Sequence, residues 1–249
     1  MICYLCRSAI PEDQPFYNDY GHQVCKPCFE EAPRCFVCRF PGKQNEQVEG
    51  LGLECEFCRG NLIAEGAQVL PMIEPLFPFL SGYGLSAPQA PSFEWINRQE
   101  LRDMQSDADL AQEEFIDDFL RYFYPVYYKG GVHYCLRRMS KPTFIVYAIV
   151  QLGVADIAAR FGQENLAGKS PFQTFARGFC HWVGYEAAKR LDYDLESRQM
   201  RKWPELGAQG EFERWESMAR FSKTPKIVGF FNANLQAMAR KHLAAASSG

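Results

Sequence analysis

The chain lacks a surplus of charge of either sign. Against 27 Lys and Arg stand 30 Asp and Glu, a formal net charge of −3. That disfavours a globally basic nucleic-acid binder, since phosphate recognition needs a surplus of cations, though it does not exclude a local basic face. Long apolar runs are scarce as well. The most apolar stretch, Phe144 to Ala155, is interrupted by Gln151 and closed by Asp156 and Arg160. It is too short for a bilayer span and suits a buried helix. The start, Met1-Ile2-Cys3, has no charged segment followed by an apolar one, which speaks against a secretory signal. The expected location is therefore the cytoplasm, with no membrane partner. Phosphate-cradling loops are missing: Gly130-Gly131 is not followed by the Lys-Ser/Thr such a loop needs. What remains is an ordinary globular composition, 47% hydrophobic and 14% aromatic, over 249 residues. That is room for one large domain or two modest ones.

Cysteine is where the chain is rich. Eight of its ten cysteines fall before residue 59, in four Cys-x-x-Cys pairs: Cys3/Cys6, Cys25/Cys28, Cys35/Cys38 and Cys55/Cys58. Zinc takes four tetrahedral thiolate or imidazole ligands, and one Cys-x-x-Cys turn presents two sulfurs from a tight loop, so two pairs close one site. Four pairs predict two structural Zn2+ ions. The gaps between Cys6 and Cys25 and between Cys38 and Cys55 are those of structural zinc modules. Without a secretory signal the thiols stay reduced, which argues against disulfides. A redox Cys-x-x-Cys occurs once, at a helix start, rather than four times.

The two halves repeat. Cys3-Tyr4-Leu5-Cys6-Arg7 is answered by Cys35-Phe36-Val37-Cys38-Arg39, and Gly21 and Gly52 precede the second pair of each half. The repeat favours sequential pairing: Cys3, Cys6, Cys25 and Cys28 on one ion, Cys35, Cys38, Cys55 and Cys58 on the other. A cross-braced arrangement, first pair with third and second with fourth, is the competing one. His22 stands two residues before Cys25, as a LIM ligand would, but using it strands a cysteine, so it reads as a turn residue. With four thiolates a site has no open position for catalysis. Binding supplies about 10–16 kcal/mol per ion, enough to fold a small unit with almost no core.

Beyond the cysteines, Ala67–Leu80 predicts one apolar helix and 81–91 a loop. A helix is expected over Asn97–Met104, and a second, capped by Asp107 or Asp109, carries Leu110 to Phe123 and ends at Pro125. Gly130-Gly131 between aromatic runs predicts a hairpin. Helices follow over Thr143–Phe161, Phe172–Leu191, Glu211–Phe221 and Lys226–Leu243. The domains read as 1–60 for tandem zinc modules, 61–92 for a connector and 93–249 for a mainly helical domain.

From Pro33 onward the chain resembles the plant LIM-domain zinc peptidases activated by ubiquitin, and their bacterial relatives. The resemblance rests on Pro33-Arg34-Cys35-Phe36-Val37-Cys38, Leu53-Glu54-Cys55-Glu56-Phe57-Cys58, Glu74-Pro75-Leu76, Ile96-Asn97-Arg98-Gln99-Glu100-Leu101 and Arg177-Gly178-Phe179-Cys180. It implies an α+β fold: two small N-terminal treble-clef or LIM-like zinc modules, then a mainly α-helical, zincin-like domain. The chain departs from that family at its chemistry. His-Glu-x-x-His is absent, the only histidines being His22, His133, His181 and His242. The corresponding helix reads Ile149-Val150-Gln151-Leu152-Gly153-Val154-Ala155-Asp156, and Arg177 stands where a later ligand glutamate is expected. The peptidase-like domain is thus expected to be degenerate.

The function expected is that of a non-catalytic intracellular adaptor, a pseudo-peptidase within a larger protein assembly. Two alternatives stay open. One is an active hydrolase, either a metallopeptidase with altered ligands (Asp156, His181, Glu186) or a thiol enzyme using Cys180. The other is a nucleic-acid binder, which the few knuckle bases, Arg7, Lys26, Arg34, Arg39 and Arg59, disfavour. Cys135 and Cys180 otherwise read as small buried hydrophobes. Acids dominate from Glu94 to Asp118 and bases after residue 160, an asymmetry that suits complementary domain faces or a charged partner.

Overall fold

A computed structural model describes the chain except for residues 20–21, 36–39, 43–46, 49–51, 60–62, 64–68, 88–90, 106–124, 137–138, 165, 167–169, 203–208 and 247–249. The fold is mixed α+β, with small sheets and many helices. It divides into two compact units: unit 1 is 1–63 with 138–141, and unit 2 is 64–137 with 142–249.

Unit 1 is two copies of one small plan. Strands β1 (Phe16–Asp19) and β2 (His22–Cys25) pair antiparallel, Phe16 opposite Cys25, and run straight into helix α1 (Lys26–Glu31) with Pro27 in its first turn. Proline fits there because the first helical amides have no partner to lose. In the second copy β3 (Gln47–Val48) pairs with β4 (Gly52–Leu53), and α2 (Glu56–Arg59) follows. Besides cysteines, the buried apolar side chains among the described residues of unit 1 are Tyr4, Ile10, Val24, Phe40, Leu53, Ile63 and Met139.

Unit 2 has a three-stranded sheet of order β5-β7-β6, formed by β5 (Ser92–Ile96), β6 (Val126–Lys129) and β7 (Val132–Leu136). β6 and β7 make the expected hairpin, whose turn is Gly130 (φ 59°) and Gly131 (φ 88°). Two successive positive φ angles are what a tight hairpin turn requires, and glycine adopts them without steric cost. β5 runs parallel to β7, in a stretch between the expected 81–91 loop and the helix at Asn97 to which the sequence assigns no element. The expected Ala67–Leu80 helix is present over its described part as one apolar run, Val69–Gly82, made of α3 (Val69–Ile73), a 3-10 turn (Glu74–Leu76) and α4 (Phe77–Gly82). Pro75 and Pro78 each remove an amide donor, and the helix tightens to the 3-10 turn around the first of them. Helix α5 (Arg98–Gln105) opens with a reciprocal cap: Asn97 accepts from the Glu100 amide at 2.9 Å, and the Glu100 carboxylate accepts from the Asn97 amide at 2.8 Å. The helix expected to carry Leu110–Phe123 lies outside the described residues.

Helix α6 (Lys141–Arg160) is apolar on nearly every side. By length and composition it suffices to cross a membrane, yet 78% of its most apolar window is buried inside the fold. Helix α7 (Pro171–Arg190) packs against it, opened by a capping box between Ser170 and Gln173. Then come α8 (Asp194–Lys202), α9 (Gln209–Phe221) and α10 (Thr224–Ala246). The core holds Phe175, Phe179, Trp182, Trp215 and Phe231, with the rings of Phe179 and Phe231 stacked at 3.6 Å.

Glycines let the helices approach. A Cβ built at Gly184 would stand 2.5 Å from Val150 Cγ2, 2.9 Å from Met200 Cε and 3.3 Å from the Val146 carbonyl. Gly184→Ala therefore costs about 1–3 kcal/mol net by overpacking, despite alanine's better helix propensity. Urea unfolding followed by tryptophan emission measures it; an unchanged or raised midpoint would show that the crossing relaxes freely.

Candidate metal centre

The first knuckle is a tight backbone loop. The Cys3 amide donates to the Ser8 carbonyl (2.9 Å), the Arg7 amide to the Cys3 carbonyl (3.0 Å), and the Ile10 amide to the Met1 carbonyl (2.8 Å). Arg7 adopts a left-handed conformation (φ 62°) to close the loop, a position where a side chain is normally disfavoured. The second pair comes from the hairpin and helix. Cys25 ends β2 and is the N-cap of α1, and Cys28 sits one turn inside it. Knuckle, hairpin and helix together aim four side chains at one point.

All four ligand atoms of Cys3, Cys6, Cys25 and Cys28 lie within 4.8 Å of one another. The Cys6 and Cys25 sulfurs are 3.9 Å apart. In a tetrahedron with Zn–S bonds of about 2.3 Å the sulfurs stand about 3.8 Å apart, so this edge already has the right length. The Cys25 amide donates to the Cys3 sulfur at 3.4 Å, a contact that favours the thiolate. Cys3 is buried and Cys6 exposed.

The thiols divide in their acidity. Cys6 is lowered to about 6, chiefly by the Ser8 hydroxyl and amide. At Cys3 burial is the largest single influence and raises the thiol, but the amides of Cys25, Cys6 and Leu5 outweigh it and leave it lowered. Cys28 is raised by burial and by its three sulfur neighbours. Cys25 is lowered by the Cys28 amide, but burial and the Cys3 and Cys6 sulfurs leave it raised. Four sulfurs this close can all ionise only beside a compensating cation, which a divalent metal would supply. The donor set fits zinc. His22 stands apart from the cluster, its ring stacked on Tyr4 at 4.5 Å.

The backbone of the second copy repeats the first. The Cys35 amide donates to the Phe40 carbonyl (2.9 Å) and the Gly42 amide to the Pro33 carbonyl (2.9 Å). Single bridges flank both knuckles, Ile2 with Ala9 and Arg34 with Pro41. The Cys55 amide donates to the Cys35 sulfur at 3.4 Å, the same contact at the same distance as between Cys25 and Cys3. Cys35 and Cys55 are buried. Cys38 and the side chain of Cys58 lie outside the described residues.

No known protein family, curated protein or solved structure matches the chain. What the molecule does must be read from its own groups.

The catalytic candidates in unit 2 form no metal-binding group of three among the described residues. Asp156 pairs with Arg160, whose Nε donates to it at 3.1 Å. The His181 ring is buried, with Nε2 2.9 Å from the Met200 carbonyl. Glu186 pairs with Lys189 at 3.2 Å. Cys180 is fully buried, at the crossing with Gly153. His133 is buried in β7, its Nδ1 3.2 Å from the Ser92 carbonyl. Cys135 is buried, and burial raises its thiol. Among the described residues no other three His, Cys, Asp or Glu side chains gather within reach of one ion.

Sequence reasoning missed two residues with definite tasks. Gln151, buried on α6, accepts the amide of Tyr128 at 3.0 Å and so binds the helix to strand β6. Tyr4 occupies the interior of unit 1, although its place inside a Cys-x-x-Cys turn is one where side chains are commonly solvated. Gln151 had a signal, an amide in an otherwise apolar run. Tyr4 had only its aromatic character.

Proposed function

We propose that this protein is a non-catalytic, zinc-binding interaction protein. Two structural zinc ions hold unit 1 in shape, one on Cys3, Cys6, Cys25 and Cys28, the other on Cys35, Cys38, Cys55 and Cys58. The shaped unit serves as a docking surface for a protein partner, as an adaptor does in a larger cytoplasmic assembly. Unit 2 is its degenerate, zincin-like companion.

The observation that carries this reading is the closure of four sulfurs around one point. Four thiolates fill every position of a tetrahedral ion, so the metal shapes the chain and activates no water. The second ion is supported by the repeated knuckle bonds and by the paired N–H···S contacts. A pseudo-peptidase role for unit 2 is supported by Gln151 on α6, whose amide oxygen is committed to the Tyr128 backbone, and by Arg177 on α7.

Native mass spectrometry of the full chain tests it. Two zinc ions per chain are expected, and none after Cys3, Cys25, Cys35 and Cys55 are all changed to serine. No peptide hydrolysis is expected from the loaded protein. A third ion that survives the four changes would overturn the reading and assign unit 2 a metal chemistry of its own.

A further inference from the structure

We infer that Tyr4 couples the two zinc modules, so that each binds its ion more tightly when the other is loaded. This rests on the two-zinc reading above. Tyr4 lies between Cys3 and Cys6 and is only 7% exposed. Its amide donates to the Gln23 carbonyl of β2 at 2.8 Å, and its ring stacks on His22 of the same strand. Backbone and ring thus belong to the first module.

The far end of the side chain reaches into the second module. The ring is inclined against Phe40 at 6.0 Å, just beyond the second knuckle, and the hydroxyl donates to the carboxylate of Glu56. Glu56 begins α2. It directly follows Cys55 and lies two residues before Cys58, so it shares the segment that presents that cysteine pair. An ion on the first site fixes Cys3 and Cys6, and with them the Tyr4 between. Tyr4 in turn fixes the start of α2, which sets the second pair. By thermodynamic reciprocity the second ion also steadies the first. The matching position in the second knuckle is Phe36, which has no hydroxyl, so the sequence supplies one such link rather than two.

Tyr4 is thereby a positioning residue, and its role separates from simple packing in a mutant cycle. The full chain is titrated against a competing zinc chelator, and the affinity of the second site is read in four forms: wild type, Tyr4→Phe, a first-site knockout (Cys6→Ser with Cys28→Ser), and all three changes together. A charge-assisted hydrogen bond is expected to carry about a tenfold effect, equivalent to about 1.4 kcal/mol. Tyr4→Phe weakens the second site about tenfold in the intact chain and leaves it unchanged in the knockout. Glu56→Gln, which keeps the Tyr4 ring and its stacking, gives the same pattern with a smaller loss. Equal losses from Tyr4→Phe with and without the first site would reduce Tyr4 to packing and overturn the coupling. So would two ions bound with no effect of either substitution. A wild-type chain that binds no second zinc sinks the two-zinc reading itself, a result distinct from both.

Discussion

On the two-zinc reading, stripping the metal from the full chain with a strong chelator is expected to unfold unit 1 and to leave the tryptophan emission of unit 2 unchanged. Among the described residues the apolar core of unit 1 includes Tyr4, Ile10, Val24 and Phe40, and its described strands are two to four residues long. A domain of about sixty residues is marginal by apolar burial alone, whereas each bound ion contributes about 10–16 kcal/mol. Unit 2 needs no such help, because Phe175, Phe179, Trp182, Trp215 and Phe231 form a contiguous aromatic core. The molecule carries its own reporter. All four tryptophans, at 95, 182, 203 and 215, lie in unit 2, and unit 1 has none. Amide exchange resolves the other half: after chelation, protection disappears from residues 1–63 and persists in α6 and α7. Protection retained in both regions without metal would show that the cysteine clusters do not hold unit 1.

Acid acts on the other unit. Between pH 6.5 and pH 4 the stability of unit 2 falls steeply. His133 and His181 are each lowered from 6.5 to about 4, chiefly by burial, with carbonyl contacts pulling weakly the other way. A histidine whose folded value is depressed is neutral in the folded chain where the unfolded chain has already taken up a proton. Stability is therefore full above 6.5 and is lost as pH falls towards 4, with the slope set by the extra proton of the unfolded state. Over that interval each histidine accounts for roughly 3 kcal/mol. Asp156 and Glu196 oppose the trend. Both are raised, mainly by burial, and such carboxyls favour the folded state more as pH falls. A comparison with His133→Gln and His181→Gln isolates the imidazoles, each substitution removing about half of the histidine-dependent loss. The measurement is the urea midpoint by tryptophan emission at a series of pH values, which is blind to metal loss from unit 1. Identical pH slopes in wild type and both variants would mean that neither ring is kept neutral by burial.

What the sequence made legible follows from how local each signal is. A Cys-x-x-Cys turn and a Gly-Gly hairpin are decided within a few residues, and the first knuckle and the β6–β7 turn match those expectations. Sequential pairing in the first module was legible from the repeat, and the structure brings Cys3, Cys6, Cys25 and Cys28 together. The α3–α4 run was legible because Met72, Ile73, Leu76 and Leu80 recur at helical spacing, whereas its 3-10 turn at Glu74–Leu76 was not, since the prolines act on single amides. β5 was missed although Phe93 and Trp95 alternate with polar neighbours, since its pairing partner lies some forty residues away in β7. Helix α8 was missed because its sequence, Asp-Leu-Glu-Ser-Arg-Gln-Met-Arg-Lys, is almost entirely polar. It is held by neighbours, Met200 being fully buried and the Glu196 carboxylate accepting from the Thr143 hydroxyl at 3.1 Å. The bridging role of Tyr4 depends on a contact between two repeats, which no single repeat encodes.

The Ile63 amide donates to the Met139 carbonyl at 3.0 Å, and Ile63 is wholly buried, so unit 1 is finished by a segment that emerges late from the ribosome. At about 5–20 residues per second, Met139 follows Ile63 by about 4–15 s. Through that interval all eight paired thiols are already synthesised while the acceptor for Ile63 is not. On the two-zinc reading, an ion taken up in this window meets the sulfurs before residues 138–141 exist to close the unit, so uptake precedes closure.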